Sequence, residues 1–211
     1  MTFDLFVDTS RKGISMALLQ SDAADPCYLE TVDESARGET ASALLDALLE
    51  KAHASLDQVT RVMVTVGPGS FSGLRTGVAF CEGLCFSGKR KLYGVSTLQA
   101  LECFAGSTES TAVVIRARKG FWYTRLNEKE SFIETAEVLQ QLQSHNVSTL
   151  VVDDSALSDE SIAGYIEKVQ AKIVNEKGQP LSKWEVLFDK VEPSLTQEAN
   201  YIQPSYFEKL S

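Results

Sequence analysis

Histidine is nearly absent. His53 and His145 are the only two, they stand far apart, and neither belongs to a His-Glu-x-x-His or His-x-x-x-His motif. A zinc peptidase has no imidazole pair to draw on here. Cysteine is scarce too: Cys27, Cys81, Cys85 and Cys103 form no Cys-x-x-Cys pair and are too few in 211 residues for a disulfide framework. Cys81 and Cys85, one helical turn apart in an apolar run, read as buried thiols. No apolar run approaches the roughly 18 residues of a membrane span. Met1-Thr2-Phe3-Asp4 lacks the basic start and apolar stretch of a secretory leader, so a cytoplasmic chain is expected. Basic residues are outnumbered, 20 against 29 acidic ones, and the net charge of −9 argues against a protein that grips nucleic acid unaided. Of thirteen glycines only Gly106, Gly120, Gly164 and Gly178 lie beyond residue 100, so the second half has no glycine-rich loop to hold an adenosine.

What remains is an ordinary globular composition, 44% hydrophobic and 23% charged, in a length that suits two small lobes. Apolar runs at 5–7, 14–19 and 27–32 read as strands, the first closed by the turn residues Asp8-Thr9-Ser10-Arg11-Lys12-Gly13. From 39 to 54 the period becomes helical, with Ala41, Leu44, Leu45, Leu48 and Ala52 on one face. Strands at 61–66 and 91–95 bracket a long helix over 72–87, and Ser96 is placed to cap a further helix through Leu98, Leu101 and Phe104. The small polar stretch 106–111 marks a boundary, giving domains 1–106 and 107–211. Beyond it the cycle restarts: strands at 112–117, 121–126 and 149–152, helices at 135–144 and 158–169, and a possible strand at 184–188. The order predicts mixed sheets flanked by helices, an α/β fold.

The segment Gly67-Pro68-Gly69-Ser70-Phe71-Ser72-Gly73 sits between a strand and a helix, where backbone amides can receive an anion. Asp8, Thr9, Gly67, Gly69 and Ser70 are therefore the candidate nucleotide-binding residues. The Lys-Ser/Thr pair of a Walker loop is missing, so a tight turn capped by Ser70 or Ser72 is the competing reading. The helix that follows is informative all round. Leu74, Val78, Cys81 and Cys85 form its core stripe, while Gly73, Gly77, Phe80 and Leu84 form a second uncharged face. A lobe this small has trouble covering both. Gly73, Gly77, Phe80 and Leu84 are accordingly the candidate partner-binding residues, with burial against the second lobe as the alternative.

The run Val64-Thr65-Val66-Gly67-Pro68-Gly69-Ser70-Phe71-Ser72-Gly73-Leu74-Arg75-Thr76-Gly77, followed by Gly94-Val95-Ser96-Thr97-Leu98-Gln99-Ala100-Leu101, strongly resembles the TsaB (YeaZ) family. Phe6-Val7-Asp8-Thr9-Ser10 fits the family's first strand and turn, and Arg116-Ala117-Arg118-Lys119-Gly120 with Tyr123 is similar to the opening of its second lobe. The likeness is firm over residues 1–105 and thin afterwards. Glu39-Thr40-Ala41 replaces a frequent His-Ser-Glu, and Gln203 stands where an Arg is usual. The resemblance implies two RNase H-like lobes of the actin-like, sugar-kinase-like (ASKHA) superfamily. It implies a non-catalytic subunit in forming N6-threonylcarbamoyladenosine beside the anticodon of tRNAs that read codons beginning with A. It further implies pairing with the catalytic paralogue TsaD through first-lobe helices, service to the ATPase TsaE, self-pairing as a homodimer, contact with tRNA only in the assembled complex, and no metal or cofactor bound independently, with ATP or ADP conceivable at the heterodimer interface.

Two rivals come from other classes. An independent actin-like ATPase needs a second phosphate turn, and the second lobe offers Arg116-Ala117-Arg118 where an Asp followed by glycines belongs. An M22-like metallopeptidase lacks its histidines. Asp153-Asp154 reads as a solvated turn more readily than as a cation site. Arg116, Arg118, Lys119 and Arg125 near Trp122 and Tyr123 form a basic-aromatic patch, read as hairpin packing ahead of an RNA contact.

Overall fold

The computed structural model describes residues 1–11, 13–20, 27–31, 38–104, 110–169, 172–175 and 184–202. They form two compact units, Met1–Thr97 with Leu181–Asn200, and Leu98–Pro180 with Tyr201–Ser211. Most of the boundary stretch 106–111 and most of the closing segment 198–210 lie outside the described residues.

In the first unit the strands are β1 (Phe3–Asp8), β2 (Ile14–Gln20), β3 (Cys27–Thr31), β4 (Val59–Gly67) and β5 (Lys91–Ser96), with helices α1 (Gly38–Lys51) and α2 (Phe71–Cys85) between them. Their order across the sheet is β3-β2-β1-β4-β5. The first three are antiparallel neighbours, while β1 pairs with β4, and β4 with β5, in parallel. A central strand covered on both faces should be apolar without alternation, and all six residues of β1 are buried. Leu5, Val7, Met16 and Leu18 pack under Leu45 and Leu48 of α1 and Val78, Cys81 and Cys85 of α2.

The opposite face is closed by the returning chain. Residues 184–188, expected as a strand, instead form the 3-10 helix Trp184–Asp189. Its buried positions, Trp184, Leu187 and Phe188, recur at helical spacing, so one side faces the core throughout. Trp184 packs on Phe6 at 5.5 Å, and Phe188 meets Tyr93 edge-on at 4.7 Å. Arg61 reaches over Phe188 and donates to both oxygens of buried Asp4.

In the second unit α3 (Thr97–Phe104) is followed by β6 (Thr111–Arg118), β7 (Phe121–Leu126), β8 (Lys129–Glu134), α4 (Thr135–Ser144), β9 (Thr149–Val152), α5 (Asp154–Leu157), α6 (Glu160–Val169) and β10 (Lys172–Asn175). The sheet order β8-β7-β6-β9-β10 repeats the first, with antiparallel β6–β7–β8 and parallel β6–β9–β10. Val114, Trp122, Leu150 and Val152 face Val138 and Leu142 of α4 and Ile162 of α6. On the other face Ile115, Tyr123 and Val151 pack with Leu98 and Leu101 of α3.

Candidate functional site

The turn after β1 and the loop before α2 hold each other. Asp8 closes β1 with a buried carboxylate. Its Oδ1 accepts from Ser10 N (2.9 Å), Ser10 Oγ (2.6 Å) and Thr65 Oγ1 (2.8 Å), and its Oδ2 pairs with Arg11 at 2.9 Å. Burial alone would raise its pKa, but the Arg11 charge and the Ser10 hydrogen bonds together hold it below the ordinary value of 3.8. The carboxylate is thus charged and fully engaged within the chain.

The glycines of the loop permit direct contact with that turn. A Cβ on Gly69 would overlap the Ser10 carbonyl, one on Gly73 the Thr9 carbonyl, and one on Gly77 the Thr9 hydroxyl. Ser70 N donates to Ser10 O at 2.6 Å, while the Ser70 hydroxyl accepts from Gly73 N and caps α2. Gly67, at φ +117°, lies against the returning chain, where Asn200 N donates to Val66 O. Asp8, Thr9, Gly69 and Ser70 are therefore brought together, with Gly67 at the edge of the group. An anion cradle presents free N–H groups, and of this loop's amides that of Ser70 is spent on Ser10.

The faces of α2 separate sharply. Leu74, Val78, Cys81 and Cys85 are buried, as their spacing predicts, and burial pushes the Cys81 thiol well up and Cys85 to about 11. Both thiols are accordingly inert. Gly73 and Gly77 are filled by Thr9 of their own unit, and Phe80 and Leu84 are half-buried against the first core. The expected quartet Gly73, Gly77, Phe80 and Leu84 is not the outward face. Opposite the core stripe stand Ser72, Arg75, Ala79 and Gly83, all exposed, between Phe71 (57% exposed) and Phe86 (93%). Arg75 lies over the Phe71 ring at 4.8 Å. A Cβ on Gly83 would meet nothing within 4 Å. The signal for this stripe was the core stripe itself, since the residues half a turn away must face outward.

In the second unit Asp153 is structural. Its Oδ1 accepts from Ala156 N to cap α5, and its Oδ2 accepts from Arg116 N at 2.8 Å. Arg125, expected in the basic-aromatic patch, is buried in ion pairs with Glu102 (2.9 Å) and Glu130 (3.3 Å). Arg116, Arg118 and Lys119 are exposed. Among the described residues no three His, Cys, Asp or Glu side chains are grouped to hold a metal ion, and no helix is long and apolar enough to cross a membrane.

Two sheets of one strand order, each flanked by helices, define a duplicated α/β fold. A crystal structure described as an uncharacterized protein with similarity to peptidase YEAZ, from Pseudomonas aeruginosa, superposes with a TM-score of 0.72 at 21% identity, covering 96% of this chain and all of that one. A ROK hexokinase from Thermus thermophilus gives 0.50 at 11% identity over 88% of this chain and all of its own. These two likenesses concern the fold alone. The sequence model of the family described as "TsaD: tRNA N6-adenosine threonylcarbamoyltransferase" matches residues 35–153, more than half of the chain. The chain belongs to this family, and among its members it is similar to proteins named TsaB. The Bacillus subtilis (strain 168) protein "tRNA threonylcarbamoyladenosine biosynthesis protein TsaB" is 27% identical over 123 residues, 58% of this chain and 53% of the relative. The chain spans about half the length of that relative.

Proposed function

We propose that the chain is a non-catalytic subunit in forming N6-threonylcarbamoyladenosine next to the anticodon of tRNAs that read A-starting codons. It docks on TsaD and, with TsaE, favours the competent state of that enzyme. The observation that carries this is the division of labour on α2. Its inward side is closed by Thr9 and the first core, while its outward side leaves Ser72, Ala79 and Gly83 open between Phe71 and Phe86. Small residues let a second helix approach closely, and exposed aromatics at each end supply anchors. A partner activates only by binding the active conformation better than the inactive one, so this surface is enough without any chemistry of the chain's own.

The engaged Asp8 carboxylate and Ser70 amide favour the same reading, because they leave the first unit little with which to bind ATP alone. An ATP or ADP at the TsaD interface would be held by groups outside this pair of loops. Without TsaD the outward face of α2 would pair two copies of the chain. The protein works in the cytoplasm on this reading.

Nucleoside mass spectrometry of tRNA from a deletion strain tests the proposal. The modified adenosine should disappear on deletion and return with the wild-type chain, but not with Ala79→Arg. Undiminished modification in the deletion strain would overturn it.

A further inference from the structure

The turn joining β6 and β7 has an unusual surface for so acidic a chain. Arg116, Arg118 and Lys119 follow one another at the end of β6 and are all exposed. Among the described residues none of the three side chains has a carboxylate within ion-pair distance, whereas Arg11, Arg61, Lys89, Arg90 and Arg125 each do. The two arginines lie on aromatic faces instead. Arg116 sits 4.9 Å from the Trp122 ring centre, and Arg118 sits 4.3 Å from Phe121 and 5.3 Å from Phe132. Phe121 and Phe132 are themselves stacked, with centres 5.0 Å apart and planes within 8°.

We infer that this turn, with Phe132 beside it, is a contact surface for RNA, and that the RNA is the tRNA of the complex. The inference rests on the proposed function for its choice of RNA. A guanidinium held over a ring by cation–π attraction still has N–H groups for a phosphate, and the ring holds the side chain in place beforehand. Three cations then follow the phosphates, and the stacked Phe121 and Phe132 fix where Arg118 stands. An acidic protein segment would use the same charges, and competition by polyglutamate tells the two apart. A chain of net charge −9 binds RNA weakly alone, so the patch orients tRNA that the assembled complex gathers.

Fluorescence anisotropy tests this, with labelled unmodified tRNA titrated into the full chain with TsaD over a range of salt. The triple variant Arg116→Gln, Arg118→Gln, Lys119→Gln should bind about tenfold more weakly and flatten the log–log salt slope by about 2, roughly 0.7 per phosphate contact. Phe121→Leu, which removes the ring that Arg118 and Phe132 lie against, should weaken binding about fivefold with the slope nearly unchanged, because all three cations remain to displace counterions. Wild-type affinity in both variants, with melting curves also unchanged, would overturn the inference. So would displacement of the tRNA by polyglutamate as effectively as by unlabelled tRNA at equal charge, which would assign the patch to an acidic protein. The deletion assay stays separate. Modification that depends on the chain together with indifferent variants sinks this inference alone, whereas responsive variants with modification independent of the chain sink the proposed function alone.

Discussion

The two units use the same place in the same topology for opposite ends. The turn after the first strand is Asp8 to Arg11 in one and Arg118 to Gly120 in the other. In the first unit that turn begins with a buried acid, is tied to Thr65 of the neighbouring strand, and is pressed against Gly69, Gly73 and Gly77. In the second it stands in solvent, carries bases, and rests Arg118 over the rings of Phe121 and Phe132. A link to the next parallel strand's loop survives in both: Ser70 N to Ser10 O in one, Arg116 N to Asp153 in the other. A duplicated frame thus fixes where a turn sits, and side chains decide whether it becomes a packing element or a surface.

Four substitutions sharpen that contrast. The largest effect is expected for Gly77→Leu, which drives a side chain into Thr9 and should cost the first unit about 3 kcal/mol or more, read from Trp184 fluorescence in urea. Next is Asp8→Asn, which leaves Arg11 and Thr65 without their charged partner and should cost about 2–3 kcal/mol at neutral pH. Because the folded pKa of Asp8 lies below the unfolded 3.8, its contribution is fully present above that value. It is lost as pH falls through the folded value, so wild type and Asp8→Asn should converge in strongly acid urea titrations. Gly120→Ala in the open turn meets no neighbouring atom and suffers only from its φ of +76°. It should cost about 1 kcal/mol, by the same measurement with Trp122 as reporter. The smallest change is a gain: Gly83→Ala, exposed in α2 with open space around its Cβ, should stabilise by about 0.5–1 kcal/mol. Equal costs for Gly77→Leu and Gly120→Ala would erase the distinction between clamped and open turns.

Much of this was legible in local pattern. The strands at 14–19, 61–66 and 91–95 and the core stripe of Leu74, Val78, Cys81 and Cys85 follow from apolar periodicity alone. What the glycines of α2 accommodate was not, because Thr9 lies more than sixty positions earlier and only the closed sheet brings it to Gly73 and Gly77. Likewise the grip of Thr65 on Asp8 spans 57 positions. The strand β8 escaped notice for a local reason. Its entry turn places Asn127 at φ +48° and Glu128 at +63°, and without the usual glycine after Asn the hairpin signal is weak. Its sequence Lys129-Glu130-Ser131-Phe132-Ile133-Glu134 is also half charged, which suits an edge strand and disguises one. Arg125 misled because composition places it in a basic cluster, while the fold pairs it with Glu102 and Glu130.

The central claim is that the outward face of α2 exists to be covered by TsaD, and titration calorimetry of the full chain with TsaD from the same organism addresses it most directly. Wild type should bind, and Ala79→Arg should lose about a hundredfold in affinity while its urea midpoint stays unchanged. Undiminished affinity of a folded Ala79→Arg chain would contradict the account.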